Sequence, residues 1–369
     1  MFNNFLIPPG FKDEVTFNAY VEHEYKNKII EYFKVHGFDL VKTPLIEFKN
    51  KQNDNNFLIE SKKRQDQLKI RNDITPQIIR IASSRLIKRK RPLKLCYYGE
   101  VIRKYGSMLR PERQFLQVGA ETIGENNIQA DLEIISIAYK ALSLVGIKNI
   151  TIELSSKIFL DKLFSKISNK SKLKKLEKLI KKKDLDSSLE IVNNSSKAYL
   201  KNIFKCTGSF EKITSNLDLL CIDSQTSKEI QNIKKIIKSI SLKKADNFFI
   251  DFCEIDEKKY HNGIRFTFFA KDVRGEIASG GRYFIKNNKI SETATGFTCF
   301  MDTVIRASSF ENVSKKILIP FNVNKTVKNK LLNKGFTVFT FFNETKNIKK
   351  EAKNYGCNFY LEDMKVKSI

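Results

Sequence analysis

The stretch Tyr97–Gly124, YYGEVIRKYGSMLRPERQFLQVGAETIG, decides how the rest of the chain is read. It predicts two strands joined by a basic loop. Side chains alternate along a strand, so Gln117, Gly119 and Glu121 share one face of the second strand, while Leu116, Val118 and Ala120 share the other. The apolar set is expected in a core. The polar set puts an amide and a carboxylate on either side of a residue without a side chain. That is either a floor for a small polar ligand or the solvated face of an ordinary hairpin. Arg103 ends the first strand and supplies a guanidinium able to meet a carboxylate or a phosphate.

Upstream, IPPGFKDE reads as a loop, and residues 15–36 as a long amphipathic helix carrying Phe17, Tyr20, Val21, Ile29, Ile30 and Phe33, ended by Gly37. The strand FDLVKTP follows, with Pro44 expected at an edge or interface because it cannot donate to a ladder. Residues 50–63 read as a polar, mobile loop. In RNDITPQIIRIASSRL, Thr75 is expected to cap a second helix, with Pro76 as its first residue. Asp73 lies just outside, where it serves the helix dipole or faces a cationic ligand.

Downstream, NNIQADLEIISIAYKAL predicts a helix whose Asp131 and Glu133 are expected to be solvated charges favoured by its dipole. ITIELSS is a strand, and residues 157–245 form a helical, lysine-rich segment without a chemical motif. YHNGIRFTFFAK and GEIASGGRYFI read as antiparallel strands turned at Asp272–Gly275. The Gly280–Gly281 pair suits close approach of backbone to a ligand or another strand. ETATGFTCFMDTVIRAS passes from strand into helix, and the tail reads as a small β-α-β-α-β unit.

The chain has 369 residues, enough for a full core and two or three domains. It has no apolar run long enough to span a bilayer and no signal-peptide pattern. Cys96, Cys206, Cys221, Cys253, Cys299 and Cys357 are scattered and the three histidines dispersed, so no metal and a reducing, cytoplasmic setting are expected. The formal charge of +26 comes mostly from lysine, 54 of the 67 basic residues. It is assigned to a solvated surface, and nucleic acid is not expected as a partner. All 13 arginines fall in two windows, 64–113 and 265–306, which are marked as candidate sites because a planar fork is not interchangeable with an ammonium.

The order of Pro44, RNDIT, RQFLQVGAETIG, a helical insertion, YHNG, GGRY and ATGF resembles the catalytic core of histidyl-tRNA synthetase over residues 5–312. The resemblance implies an α+β class II aminoacyl-tRNA synthetase-like core, an antiparallel sheet flanked by helices, with a helical insertion and a short α/β C-terminal unit. The parts are 1–154 and 246–312 for the core, 155–245 for the insertion and 313–369 for the C-terminal unit. It implies a histidine pocket at Asp73, Thr75, Arg103, Gln117, Glu121, Tyr260 or His261, and Tyr283. There Arg103 would hold the ligand's carboxylate, Asp73, Thr75 and Gln117 its ammonium, and Glu121 its imidazole.

The departures are as informative. The Arg-x-Glu signature that helps hold ATP reads Arg103-Lys104-Tyr105 here. Asp256 stands at the position of an activating arginine, and Thr303 at that of the motif 3 arginine. Amino-acid activation needs positive charge on the transferring phosphoryl group. The pattern is similar to the family of ATP phosphoribosyltransferase regulatory subunits. This implies no catalytic residues, no cofactor, a homodimer assembled with the short-form catalytic subunit, and feedback by histidine as effector. The rival readings are a divergent active histidyl-tRNA synthetase and an RNA-binding relic of one.

Overall fold

The hairpin forms as strands Leu93–Ile102 and Gln114–Ile123, in antiparallel register from Leu93 opposite Ile123 to Ile102 opposite Gln114. It belongs to a computed structural model that describes residues 6–15, 17–49, 56–59, 67–240, 247–255, 261–286, 291–309, 315–345 and 347–369. Asp256 and Tyr260 lie outside the described residues, as does most of the expected loop at 50–63. Of that loop residues 56–59 are described, and Leu58–Ile59 among them is a strand. The chain divides into two compact units, Met1–Ser309 and Phe310–Ile369.

The hairpin sits inside a nine-stranded sheet. From one edge the order is Asp39–Val41, Leu93–Ile102, Gln114–Ile123, Ser291–Phe300, Ala278–Lys286, His261–Ala270, Ile150–Ser156, Asn247–Ile250 and Gly208–Ser209. The middle is antiparallel, as expected. Parallel pairing enters only at Asp39–Val41 and at Asn247–Ile250, both reached through helical connections.

The two faces of the sheet carry separate cores. Leu116, Val118 and Ala120 pack into the larger one, beneath the helices Phe17–Val35 and Ile128–Leu144. The first helix buries Val21, Tyr25, Ile29 and Phe33, a strict four-residue ladder, and leaves Phe17 and Tyr20 exposed, so its apolar stripe is narrower than the sequence suggests. Phe33 closes the stripe edge-on against Phe297, ring centroids 5.6 Å apart. The opposite face carries the second core, in which Tyr97, Phe115, Ile123, Tyr283 and Phe300 meet Ile74 and, from the Thr75–Ala82 helix that follows it, Ile78 and Ala82. The polar set of the hairpin therefore faces a roofed space and not bulk water.

Two local expectations are corrected. Thr75 is the first residue of its helix, and Ile74 stands at the cap position without a side-chain cap. The cap's N–H is met instead from across the sheet, where Gln117 Oε1 accepts it at 3.2 Å. Asp131 is not solvated. It is buried in an ion pair with Arg282, whose Nε lies 3.0 Å and Nη2 2.9 Å from its Oδ2. The same guanidinium donates to Glu125 O and Asn127 O, so it fastens the start of the Ile128–Leu144 helix to the GGRY strand.

The lysine-rich segment forms helices from Ile158–Phe164 to Ser224–Ser239 and adds the two-residue strand at the sheet edge. The C-terminal unit has the expected β-α-β-α-β order, with strands Lys316–Pro320, Thr337–Phe341 and Phe359–Glu362 in parallel. A further strand, Lys365–Ser368, pairs antiparallel with the last of them through a turn at Asp363–Met364.

Breaking a buried ion pair from one side leaves an uncompensated charge and costs about 3–5 kcal/mol, whereas replacing both partners with apolar groups is close to neutral. Arg282→Met is therefore expected to lower the urea midpoint strongly, and Arg282→Met with Asp131→Leu to recover most of the loss. Equal losses in the single and double variants would contradict a buried pair.

Candidate functional site

Residues paired across strands share a face, so the register assembles the site row by row. Glu121 pairs with Gly296, and Gly296 with Gly281. One row away, Tyr97 pairs with Gly119 and Gly119 with Thr298. On the other side lie Ala294, Tyr283 and His261. The glycines make room for side chains lying flat on the sheet. A Cβ on Gly296 would overlap the Glu121 carboxylate, and one on Gly119 would meet the Tyr97 hydroxyl.

Glu121 is 2 % exposed and each of its oxygens is held. Thr75 Oγ1 donates to Oε1 at 3.0 Å, and Tyr283 Oη donates to Oε2 at 3.0 Å. Tyr97 Oη lies 3.1 Å from Thr75 Oγ1 and 2.7 Å from Thr298 Oγ1. The Thr75 hydroxyl has one proton, so when it donates to the ionised Glu121 it acts as an acceptor toward Tyr97. Burial pushes the Glu121 carboxyl from the ordinary 4.5 up to about 8; the hydroxyls of Tyr283 and Thr75 oppose this, and the charge of Asp73 adds to it. The Tyr97 hydroxyl is raised for the same first reason, with Glu121 and Asp73 adding to burial. Asp73 is thus close enough to act on the cluster through space.

The sequence-predicted residues fall into a buried end and a half-exposed end. Gln117, Glu121 and Tyr283 are buried, while Asp73, Thr75, Arg103 and His261 are half-buried. Gln117 Oε1 accepts the Ile74 N–H, which leaves one lone pair of that oxygen and the amide N–H groups to offer a ligand. Arg103 stands with its guanidinium 4.8 Å from the centre of the Phe115 ring, two residues from Gln117 on the same strand face. His261 opens its strand opposite Tyr283. Tyr97 and Gly296 were missed from sequence. The signal for Tyr97 was present, because an antiparallel hairpin pairs residues equidistant from its centre, and Tyr97 and Gly119 are equidistant from Met108.

The two arginine windows turn out to be largely structural. Arg71 crosses beneath Gly99 to reach Glu100 O at 2.7 Å and Thr43 Oγ1 at 2.8 Å. Arg91 holds Glu292 at 2.9 Å, Arg265 pairs with Glu254, and Arg306 with Glu112. Arg110, from the hairpin loop, is 2 % exposed and lies with its guanidinium 3.9 Å from the Phe300 ring centre and 5.0 Å from that of Phe115. Its Nη2 donates to Glu276 O at 2.7 Å, and its Nε lies 3.4 Å from Asp302 Oδ2, close enough for an ion pair but not aligned for a hydrogen bond. Thr303 is buried beside it, its hydroxyl 2.8 Å from Glu276 O and 2.9 Å from Phe300 O. Burial pushes the Asp302 carboxyl up, and Arg110 opposes this. Among the described residues no group of three or more His, Cys, Asp or Glu side chains could hold a metal ion.

Residues 10–304 match the family described as histidyl-tRNA synthetase. The chain belongs to the histidyl-tRNA synthetase family. Within that family, its similarity at full length is to proteins named ATP phosphoribosyltransferase regulatory subunit. The one from Rhodospirillum centenum is 28% identical over 99% of this chain and 96% of the relative, and that from Paramagnetospirillum magneticum is 28% identical over 97% and 96%. Among solved structures, one described as an ATP phosphoribosyltransferase regulatory subunit/histidyl-tRNA synthetase from Bacillus halodurans superposes with a TM-score of 0.78 at 20% identity, covering 97% of each chain. A histidyl-tRNA synthetase from Nostoc sp. PCC 7120 gives 0.77 at 17% identity, over 97% and 91%. The nine-stranded sheet with its flanking helices is the class II synthetase-like α+β fold.

The raised Glu121 carboxyl has a consequence for stability. The native chain keeps a proton there that the unfolded chain releases above about 4.5, so this group's contribution is full below that value and is lost as pH rises to about 8. Glu121→Gln keeps the shape without the titration. Its stability relative to wild type is expected to rise between about pH 5 and about pH 8.5, by on the order of a few kcal/mol. Urea melts at both ends of that range measure this, and a difference independent of pH would show that the carboxyl is not held as described.

Proposed function

We propose that this chain is the non-catalytic regulatory subunit of a short-form ATP phosphoribosyltransferase. In this role it is required for the first step of histidine biosynthesis, works in the cytoplasm, and forms a homodimer assembled with the catalytic subunit. Histidine is the effector, bound at the Glu121 cluster. The observation that carries the reading is a contrast between two ends of one sheet face. The Glu121 end keeps a carboxyl, three hydroxyls and an amide close together, most of them hydrogen-bonded to one another. At the other end Thr303 stands where the synthetase pattern calls for arginine. Arg110 beside it turns its charge inward to Asp302 and Glu276.

The gradient of burial supports histidine as the ligand class. An imidazole both donates and accepts hydrogen bonds, which suits the enclosed carboxyl and phenol of Glu121 and Tyr283. The charged ammonium and carboxylate suit the half-exposed end, where Asp73 and Arg103 stand. At neutral pH the Glu121 carboxyl carries a proton, so uptake of histidine is expected to move a proton between ligand and site.

Two measurements on the purified chain test this reading together. Histidine-dependent exchange of pyrophosphate into ATP is expected at background, and the chain is expected to elute with the catalytic subunit on size exclusion. Clear exchange, or separate elution of the two proteins, would overturn the proposal.

A further inference from the structure

Glu121 and His261 reach one patch of the sheet from opposite sides. Gly281 and Gly296 are paired in register on neighbouring strands, and both open onto the site face. The Glu121 carboxylate fills the place of a Gly296 side chain, and a Cβ on Gly281 would come within 2.8 Å of His261 Cδ2. Side chains of a cross-strand pair start about 4.5–5.5 Å apart, so the carboxyl and the imidazole stand roughly one strand spacing apart over adjacent glycines. Tyr283 connects them, being in register opposite His261 and donating to Glu121. His261 is the first residue of its strand, is half-buried, and precedes a break in register before Arg265. A side chain at such an end can move without disturbing the ladder.

We propose that His261 is a built-in competitor at the site: its imidazole holds the ground beside Glu121 that the ring of free histidine would take. This rests on the reading of the cluster as a histidine site. A carboxyl and a phenol recognise an imidazole by its ring nitrogens, and they do not distinguish a ring on the chain from one in solution. A tethered ring is present at an effective concentration of about millimolar or more, and the apparent affinity of a free ligand falls with the fraction of chains in which the site is already filled. His261 therefore sets the histidine concentration at which the effector acts. Entry of the ligand displaces the His261 ring toward solvent, at the same strand end.

The test is calorimetric titration of histidine into the complex of full chain and catalytic subunit, for wild type, His261→Tyr and His261→Ala. Both variants are expected to bind histidine about tenfold or more tightly than wild type, because the competitor is removed in each. In wild type the His261 ring resonances are expected to shift on histidine addition; the other two histidines, His23 on the first helix and His36 just after it, are exposed and serve as internal controls. Binding retained at wild-type affinity in both variants overturns the competitor and leaves the histidine site standing. Weaker binding in both also overturns it, by making His261 a wall of the pocket. No binding in any of the three overturns the site reading itself, and the competitor with it.

Discussion

A carboxyl sealed inside the sheet is the constraint around which this molecule is arranged. Burying Glu121 has a cost that its neighbours must offset, since an unpaired polar group in such a place is worth several kcal/mol against folding. The answer is spread over the whole of the larger unit. Tyr283 comes from the GGRY strand, Thr75 from a helix roofing the sheet, and Gly296 from the strand alongside. Gln117 in turn fixes the start of that helix, so the roof is aligned to the floor by a bond across the site. Few substitutions at these positions are independent of one another, because each group satisfies a partner on a different element.

The same economy explains the arginines. A chain with 54 lysines spends most of them on its surface, where a point charge on a flexible stem is sufficient. Arginine appears where several carbonyls or a buried carboxylate must be met at once, as Arg71, Arg91 and Arg282 do. Arg110 is the case that bears on function. Stacked against Phe300 and matched by Asp302, its own charge is turned inward, whereas Arg103 on the same Phe115 ring stays half-buried. The Glu121 end of the face keeps its polar groups.

What could be read in advance was what short-range rules determine. Period-two alternation separated Leu116, Val118 and Ala120 from Gln117, Gly119 and Glu121, and loop symmetry set the register of the hairpin. What could not be read depends on partners far along the chain. Asp131 looks like a helix-dipole residue until Arg282, some 150 positions later, is placed against it. Thr75 has the composition of a cap, yet its hydroxyl is drawn to Glu121 and the capping role passes to Gln117. The last strand, Lys365–Ser368, was hidden because its turn places Asp363 and Met364 at positive φ, where glycine or asparagine is the usual signal. Most of the arginines in the two windows meet groups within the chain, as Arg71, Arg91, Arg110 and Arg282 do, and composition cannot tell such an inward fork from an outward one.

The account makes the chain a partner of an enzyme and not an enzyme. The measurement that tests this most directly is the initial rate of phosphoribosyl transfer to ATP by the short-form catalytic subunit, taken alone, with this chain, and with this chain plus histidine. The predicted result is no rate from this chain alone, a rate from the catalytic subunit that depends on its presence, and a fall on adding histidine that Glu121→Ala weakens. A catalytic rate indifferent to this chain would contradict the account.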